Sequence, residues 1–139
     1  MYLFDTDILS QLAKANRPAG LMARLAATPA AAQFTSAINV AEIYHSLFRL
    51  EGRDLPSSRR LLEFFDAQVF PRLTILPFDR EEARAYGRLK AALESEGRPR
   101  FEPDLQIAAV ALGHGLTIVT GNVRHFKGIP GLKVENWLG

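Results

Sequence analysis

What most constrains the fold of this chain is the brevity of its apolar runs. Tyr2 to Phe4, Leu73 to Leu76 and Leu116 to Val119 are the clearest, with Gln33 to Thr35 and Lys133 to Val134 as weaker examples. Runs this short suit strands and cannot make helices, while the stretches between them space their apolar residues helically. Strand and helix therefore alternate. Alternation predicts a mostly parallel central sheet, because parallel neighbours need crossover helices and these cover both faces. The expected architecture is a three-layer α/β/α sandwich.

Several helices carry readable ends. Asp79 and Glu82 have capping-box spacing, Ala83, Tyr86, Leu89 and Leu93 share one face, and Gly97 stands where the helix should stop. A second helix is expected to be capped by Ser57 or Ser58, to present Leu62, Phe65 and Val69, and to end at Pro71. A third runs from near Asn39 to Leu50, and Gly52 to Pro56 joins it to the second as a helical hairpin. A fourth, Asp104 to Gly113, is apolar almost all round, which predicts burial on both sides. Ser95 to Pro103 reads as the loop that delivers the chain to Asp104.

A length of 139 residues predicts a single domain over residues 1–139, with no repeat or linker. The absence of cysteine excludes disulfides, thiolate zinc sites and cysteine nucleophiles. No run approaches the roughly 18 apolar residues of a membrane span, and the N-terminus lacks a signal-peptide pattern. A cytoplasmic protein with no membrane partner is expected. Net charge is only +2, but 13 of the 17 basic residues are Arg, the side chain suited to bidentate contact with phosphate or carboxylate.

In an open parallel sheet, ligands bind beyond the carboxyl ends of the strands. Asp5 directly follows the first strand and Asp7 lies two residues on; Glu42 and Asp104 stand in the first turns of their helices, and Asn122 follows the strand ending at Thr120. Most of these have ordinary structural uses. Asp7 can cap a helix from Ile8 to Lys14, Glu42 can fold back on the Asn39 amide, Asp104 can complement a helix dipole, and Asn122 can close an Asx turn. Asp5 is harder to dismiss, since a carboxylate adjoining an apolar strand is partly desolvated and calls for a cation or hydrogen-bond donors. Mg²⁺ answers that demand, with one or two carboxylates, retained waters and phosphate oxygens in its shell. His45, His114 and His125 lack zinc-ligand spacing, Ser36 and Ser46 lack a His/Asp arrangement, and Gly113, Gly115, Gly128 and Gly131 lack a phosphate-cradling pattern.

The segments MYLFDTDIL, SAINVAEI, PDLQIAAVALGHGLTIVTGN and RHFKGIPGLKVENW, in this order and at these separations, closely resemble the PIN-domain ribonucleases. More narrowly they look like the VapC and FitB toxins of bacterial toxin-antitoxin pairs, and the resemblance spans nearly the whole chain. It implies a PIN-like fold and an acidic pocket of Asp5, Glu42 and Asp104, supported by Thr6 and Thr120, that binds Mg²⁺ or Mn²⁺. The activity implied is hydrolysis of an RNA phosphodiester by a metal-activated water, leaving a 3′-hydroxyl and a 5′-phosphate. The partners implied are a second copy of the chain and a small VapB- or FitA-like antitoxin that wraps the helices and inserts side chains into the pocket.

The chain departs from the pattern of the family it resembles at Asn122, where many PIN nucleases carry a fourth acid; Asn brings no charge, which argues against a second metal ion. Asp7, where relatives often have Asn, restores some of that charge. His125 replaces a frequent acid before Phe126 and reads as an exposed turn residue or a phosphate contact. Arg98 and Arg100 flank the approach to Asp104, and Arg124, His125 and Lys127 follow Asn122, so both groups are candidate RNA contacts or solvated loop charges. Ile43, Tyr44, Leu47, Phe48, Leu61, Leu62, Phe64 and Phe65 exceed what one small core can take, which predicts a dimer contact or a partner groove. Two other functions fit parts of the pattern. FDTD also resembles the opening of aspartyl-nucleophile phosphatases, although only Glu135 is acidic after Val119. A non-catalytic PIN-like module that grips RNA or protein is the remaining alternative.

Overall fold

The computed structural model describes residues 1–139. Five strands, β1 (Tyr2–Phe4), β2 (Gln33–Ser36), β3 (Thr74–Leu76), β4 (Thr117–Val119) and β5 (Lys133–Glu135), form one sheet in the order β3-β2-β1-β4-β5. Every neighbouring pair is parallel; Leu3 is in register with Phe34 on one side and with Ile118 on the other. The chain starts at the centre, builds outward through β2 and β3, then returns past β1 to add β4 and β5. That reversal opens a crevice beyond the carboxyl ends of β1 and β4, the place where doubly wound sheets hold ligands.

Six α-helices make the crossovers: α1 (Thr6–Leu12), α2 (Ala19–Ala27), α3 (Ala37–Glu51), α4 (Leu55–Phe64), α5 (Arg80–Ser95) and α6 (Glu102–His114). Side-chain alternation along the strands divides the core between two faces. Phe4 and Val119 pack with Ile8, Leu21, Ile43 and Phe65 of the α1 to α4 layer, whereas Leu3 and Ile118 pack with Ile107, Val110 and Phe126 on the α6 side. Three layers result, as the alternation of strand and helix predicts. Ile107 through Ala111 are fully buried, because α6 lies between the sheet and α5. Ala108, Ala109 and Ala111 let both neighbours approach closely. Gly115, at φ 65°, ends α6 in the left-handed conformation that side chains resist, and Leu116 N–H then donates to the Ala111 carbonyl at 2.9 Å.

The helix ends differ from expectation in instructive ways. Asp5, not Asp7, caps α1, by accepting from Thr6 N–H at 2.9 Å. α3 starts at Ala37 rather than Asn39, with Ser36 as its cap and Asn39 closing the capping box, so Glu42 is not the residue that folds back. α4 is capped by Asp54, which accepts from Ser57 N–H at 3.1 Å; Ser58 is buried instead and donates its hydroxyl to the Leu47 carbonyl at 2.7 Å. Nor does α4 run on regularly to Pro71, since it widens into a π turn over Phe65–Val69. The capping box at Asp79 and Glu82 forms as the spacing predicts. α2 has no polar cap and buries only Leu21, which explains why no helix is legible there in the sequence. No helix is long and apolar enough to cross a membrane.

Candidate active site

Five parts of the chain meet at the crevice. The end of β1 supplies Asp5, α1 supplies Thr6 and Asp7, α3 supplies Asn39 and Glu42, α6 supplies Asp104, and the segment after β4 supplies Thr120, Asn122 and His125. Asp5, Thr6, Asp7, Glu42, Asp104, Asn122 and His125 line a hollow of about 430 Å³ whose one apolar member is Phe101, while Asn39 and Thr120 are fully buried behind it.

Asp5 is 6 % exposed, and three donors hold it. Thr6 N–H and Asn39 Nδ2 donate to its Oδ1 at 2.9 and 3.1 Å, and Thr120 Oγ1 donates to its Oδ2 at 2.8 Å. Burial nonetheless pushes its pKa up from 3.8 to about 6; the Thr120 and Thr6 bonds oppose the rise, while the charges of Asp7 and Asp104 add to it. Asp104 is also raised, first by burial and then by the charge of Glu42, with His125 pulling the other way. These mutual effects mean that the carboxylates sense one another's charge across the hollow.

Thr6 bridges the two sides of the site. Its hydroxyl donates to Glu42 Oε1 at 2.6 Å and accepts from Asn39 Nδ2 at 3.1 Å. Glu42 is therefore oriented by Thr6 rather than by a helix cap. Asp7 accepts from Gly121 N–H at 2.8 Å and Asn122 Nδ2 at 3.3 Å, and so fastens the chain leaving β4 to α1. Asn122 thus binds Asp7 with its side chain instead of closing an Asx turn. His125 lies exposed in the short turn Val123–His125, as one of its two expected readings has it, and its Nδ1 stands 3.3 Å from Asp104 Oδ2.

The donor set is oxygen-rich and sulfur-free, which suits a hard divalent cation. No three carboxylate or imidazole groups converge tightly enough to make a closed ligand cage. A Mg²⁺-like ion keeps several of its waters and is commonly held by one or two carboxylates with phosphate oxygens completing its shell. Asp5, Glu42 and Asp104 are the carboxylates of the expected acidic pocket that face this hollow together.

Arg98, Arg100 and Arg124 stand together beside this site, in an adjoining hollow that shares Asp104 and His125 with it. Ser10, Gln11, Lys14, Asn39 and Phe101 belong to the site without having been marked by sequence pattern. Asn39 reads only as a helix-start residue, and Lys14 and Phe101 lack any spacing signal.

The profile of the PIN domain matches residues 2–132. Ribonuclease VapC2 of Haemophilus influenzae is 33 % identical over 138 residues, covering 99 % of this chain and 98 % of that protein. The chain belongs to the PIN-domain family, among the VapC ribonucleases. Solved structures of VapC relatives and their FitB cousins carry the same fold. FitAcB from Neisseria gonorrhoeae matches with a TM-score of 0.88 at 27 % identity, over 99 % of this chain and 98 % of that one. VapBC2 from Rickettsia felis, solved bound to a DNA fragment from its promoter, matches at 0.80 with 29 % identity over 98 % of each. The five-stranded parallel sheet with helices on both faces is thus a VapC-type PIN fold.

Proposed function

We propose that this VapC-family chain is the ribonuclease toxin of a toxin-antitoxin pair, a Mg²⁺- or Mn²⁺-dependent endoribonuclease that hydrolyses RNA phosphodiester bonds. The observation that carries this reading is the meeting of Asp5, Glu42 and Asp104, far apart in sequence, on one hollow at the sheet's switch point. A divalent cation bound there would acidify a water and offset charge developing on the scissile phosphate. The protein's own part is positioning. Asn39 and Thr120 aim Asp5, Thr6 aims Glu42, and His125 stands against Asp104. Asn122 brings a neutral amide where a further carboxylate would favour a second ion, so one cation is the simpler occupancy.

Asp5→Asn and Asp104→Asn should each keep the fold and reduce Mg²⁺-dependent cleavage of single-stranded RNA by roughly a hundredfold or more, since removing a charged ligand weakens the cation and not the core. Undiminished cleavage by both variants would falsify the assignment.

An antitoxin partner is supported by a groove between α1, α3 and α4. Ile43, Leu47, Leu61 and Phe65 line it, and it shares Ser10 and Lys14 with the acidic hollow. A helix lying in that groove would bring a side chain within reach of the carboxylates. Self-association is supported by Phe48, 54 % exposed and stacked on Tyr44. Light scattering on the wild type and Phe48→Glu is the check: a dimer should become a monomer if the ring lies in the contact.

A further inference from the structure

The acidic hollow has a neighbour of opposite charge. Arg98, Arg100, Arg124 and Lys127 line a second hollow that shares Phe101, Asp104 and His125 with the first. Its basic wall is held in place, because Arg98 Nη2 donates to the Gly128 carbonyl at 2.7 Å and Arg100 Nη2 to the Lys127 carbonyl at 2.8 Å. Carbonyl partners satisfy hydrogen bonds without cancelling charge. Arg98 has one carboxylate nearby, an exposed Glu96 at 3.4 Å, and Arg100, Arg124 and Lys127 form no ion pair. Each guanidinium still has N–H groups to offer a phosphate.

Phe101 stands on the ridge between the two hollows. It is 68 % exposed and immediately precedes α6. A phenyl ring left in water contributes nothing to the core, and here it sits between a site suited to a cation-bound phosphate and a wall suited to further phosphates. A ligand that alternates anionic groups with flat apolar rings matches that order. Single-stranded RNA does so; a duplex keeps its base faces stacked away from any protein ring.

We propose that Phe101 is a stacking platform for an unpaired base next to the phosphate held at the acidic hollow, with the Arg98, Arg100, Arg124 and Lys127 wall taking the phosphates that follow. This rests on the RNA reading above and deepens it. The ridge would confine the site to unpaired stretches of RNA, and the basic wall would set the side on which the strand continues.

The test is binding in EDTA, where cleavage cannot interfere and where the ring and the basic wall, neither of which needs the cation, carry the binding. Trp137 is 4 % exposed, so in Phe101→Trp a new exposed indole reports on stacking over a buried background. An unstructured oligoribonucleotide of about a dozen residues, enough to span one such site, should quench this emission, and the same strand in a duplex should not. Phe101→Ala should weaken binding of the single strand roughly tenfold, the scale of one lost base stack. The same variant should bind a base-free ribose-phosphate chain as the wild type does. Arg124→Ala should lower the salt dependence by about one counterion. Equal affinity of wild type and Phe101→Ala for the oligoribonucleotide overturns the proposal. So does quenching of Phe101→Trp by poly-glutamate as strong as that by RNA, which would give the ridge to an acidic protein segment. Single-strand binding as described by a chain that cleaves nothing with Mg²⁺ upholds the platform and sinks only the nuclease reading; cleavage that Phe101→Ala leaves untouched, with binding also untouched, sinks only the platform.

Discussion

Burial lifts the Asp5 carboxyl from 3.8 to about 6, and the charges of Asp7 and Asp104 push in the same direction. The unfolded chain releases this proton near 3.8, whereas the folded chain keeps it until about 6. Folded stability therefore falls as pH rises through that interval, and above it the ionised group costs on the order of 1–3 kcal/mol, at 1.36 kcal/mol per pKa unit. Asn at position 5 escapes this penalty. Its carbonyl can keep the bonds from Thr6 and Asn39, and its amide can donate to Thr120, whose hydroxyl turns to Asp7 Oδ1 at 3.3 Å. Urea unfolding in EDTA should show Asp5→Asn gaining on the wild type between pH 4 and 6 and holding its lead above pH 6. A gap that does not change with pH would show that Asp5 carries no such burden. Asp5 was legible from the sequence because a carboxylate flush against an apolar strand has few ordinary uses. Asn39 was not, because its two roles, closing the α3 capping box and holding Asp5, both look like a plain helix start.

At the scale of elements, the start of α3 joins stability to the site. Ser36 Oγ accepts from Asn39 N–H at 3.2 Å and donates to Asn39 Oδ1 at 2.5 Å, which leaves Asn39 Nδ2 aimed at Asp5 and Thr6. Ser36→Ala should destabilise the fold by about 1–2 kcal/mol, the usual loss for a helix cap, and Ser36→Thr should recover most of it. Chemical denaturation measures both. The elements themselves were largely readable. Short apolar runs marked all five strands, and the all-round apolar pattern of Asp104 to Gly113 marked the buried α6. Caps were read less well, because Asp5, Asp7, Asp54, Ser57 and Ser58 are all chemically able to cap. Which one does so depends on where the preceding strand or turn leaves the backbone.

At the scale of the whole molecule, the sheet order β3-β2-β1-β4-β5 is what turns scattered carboxylates into a site. If the hollow binds a cation only in the folded state, Mn²⁺ at a hundred times its dissociation constant should stabilise the protein by about 2.7 kcal/mol. For a chain this size that raises Tm by several degrees, roughly 5–10 °C. Asp104→Asn should lose most of the rise, and a wild type whose Tm ignores Mn²⁺ would not be a metal protein. By itself, the sequence determined the alternation of strand and helix, the membership in the PIN family and the identity of the acidic residues, because hydrophobic spacing and ordered motifs are local properties. Only the tertiary structure decided that Thr6 holds Glu42, that Asp7 fastens the chain leaving β4, and that Phe101 stands between an acidic and a basic hollow. The first two contacts join residues 36 and 114 positions apart, and parallel pairing with its crossovers, rather than any local preference, brings such residues together.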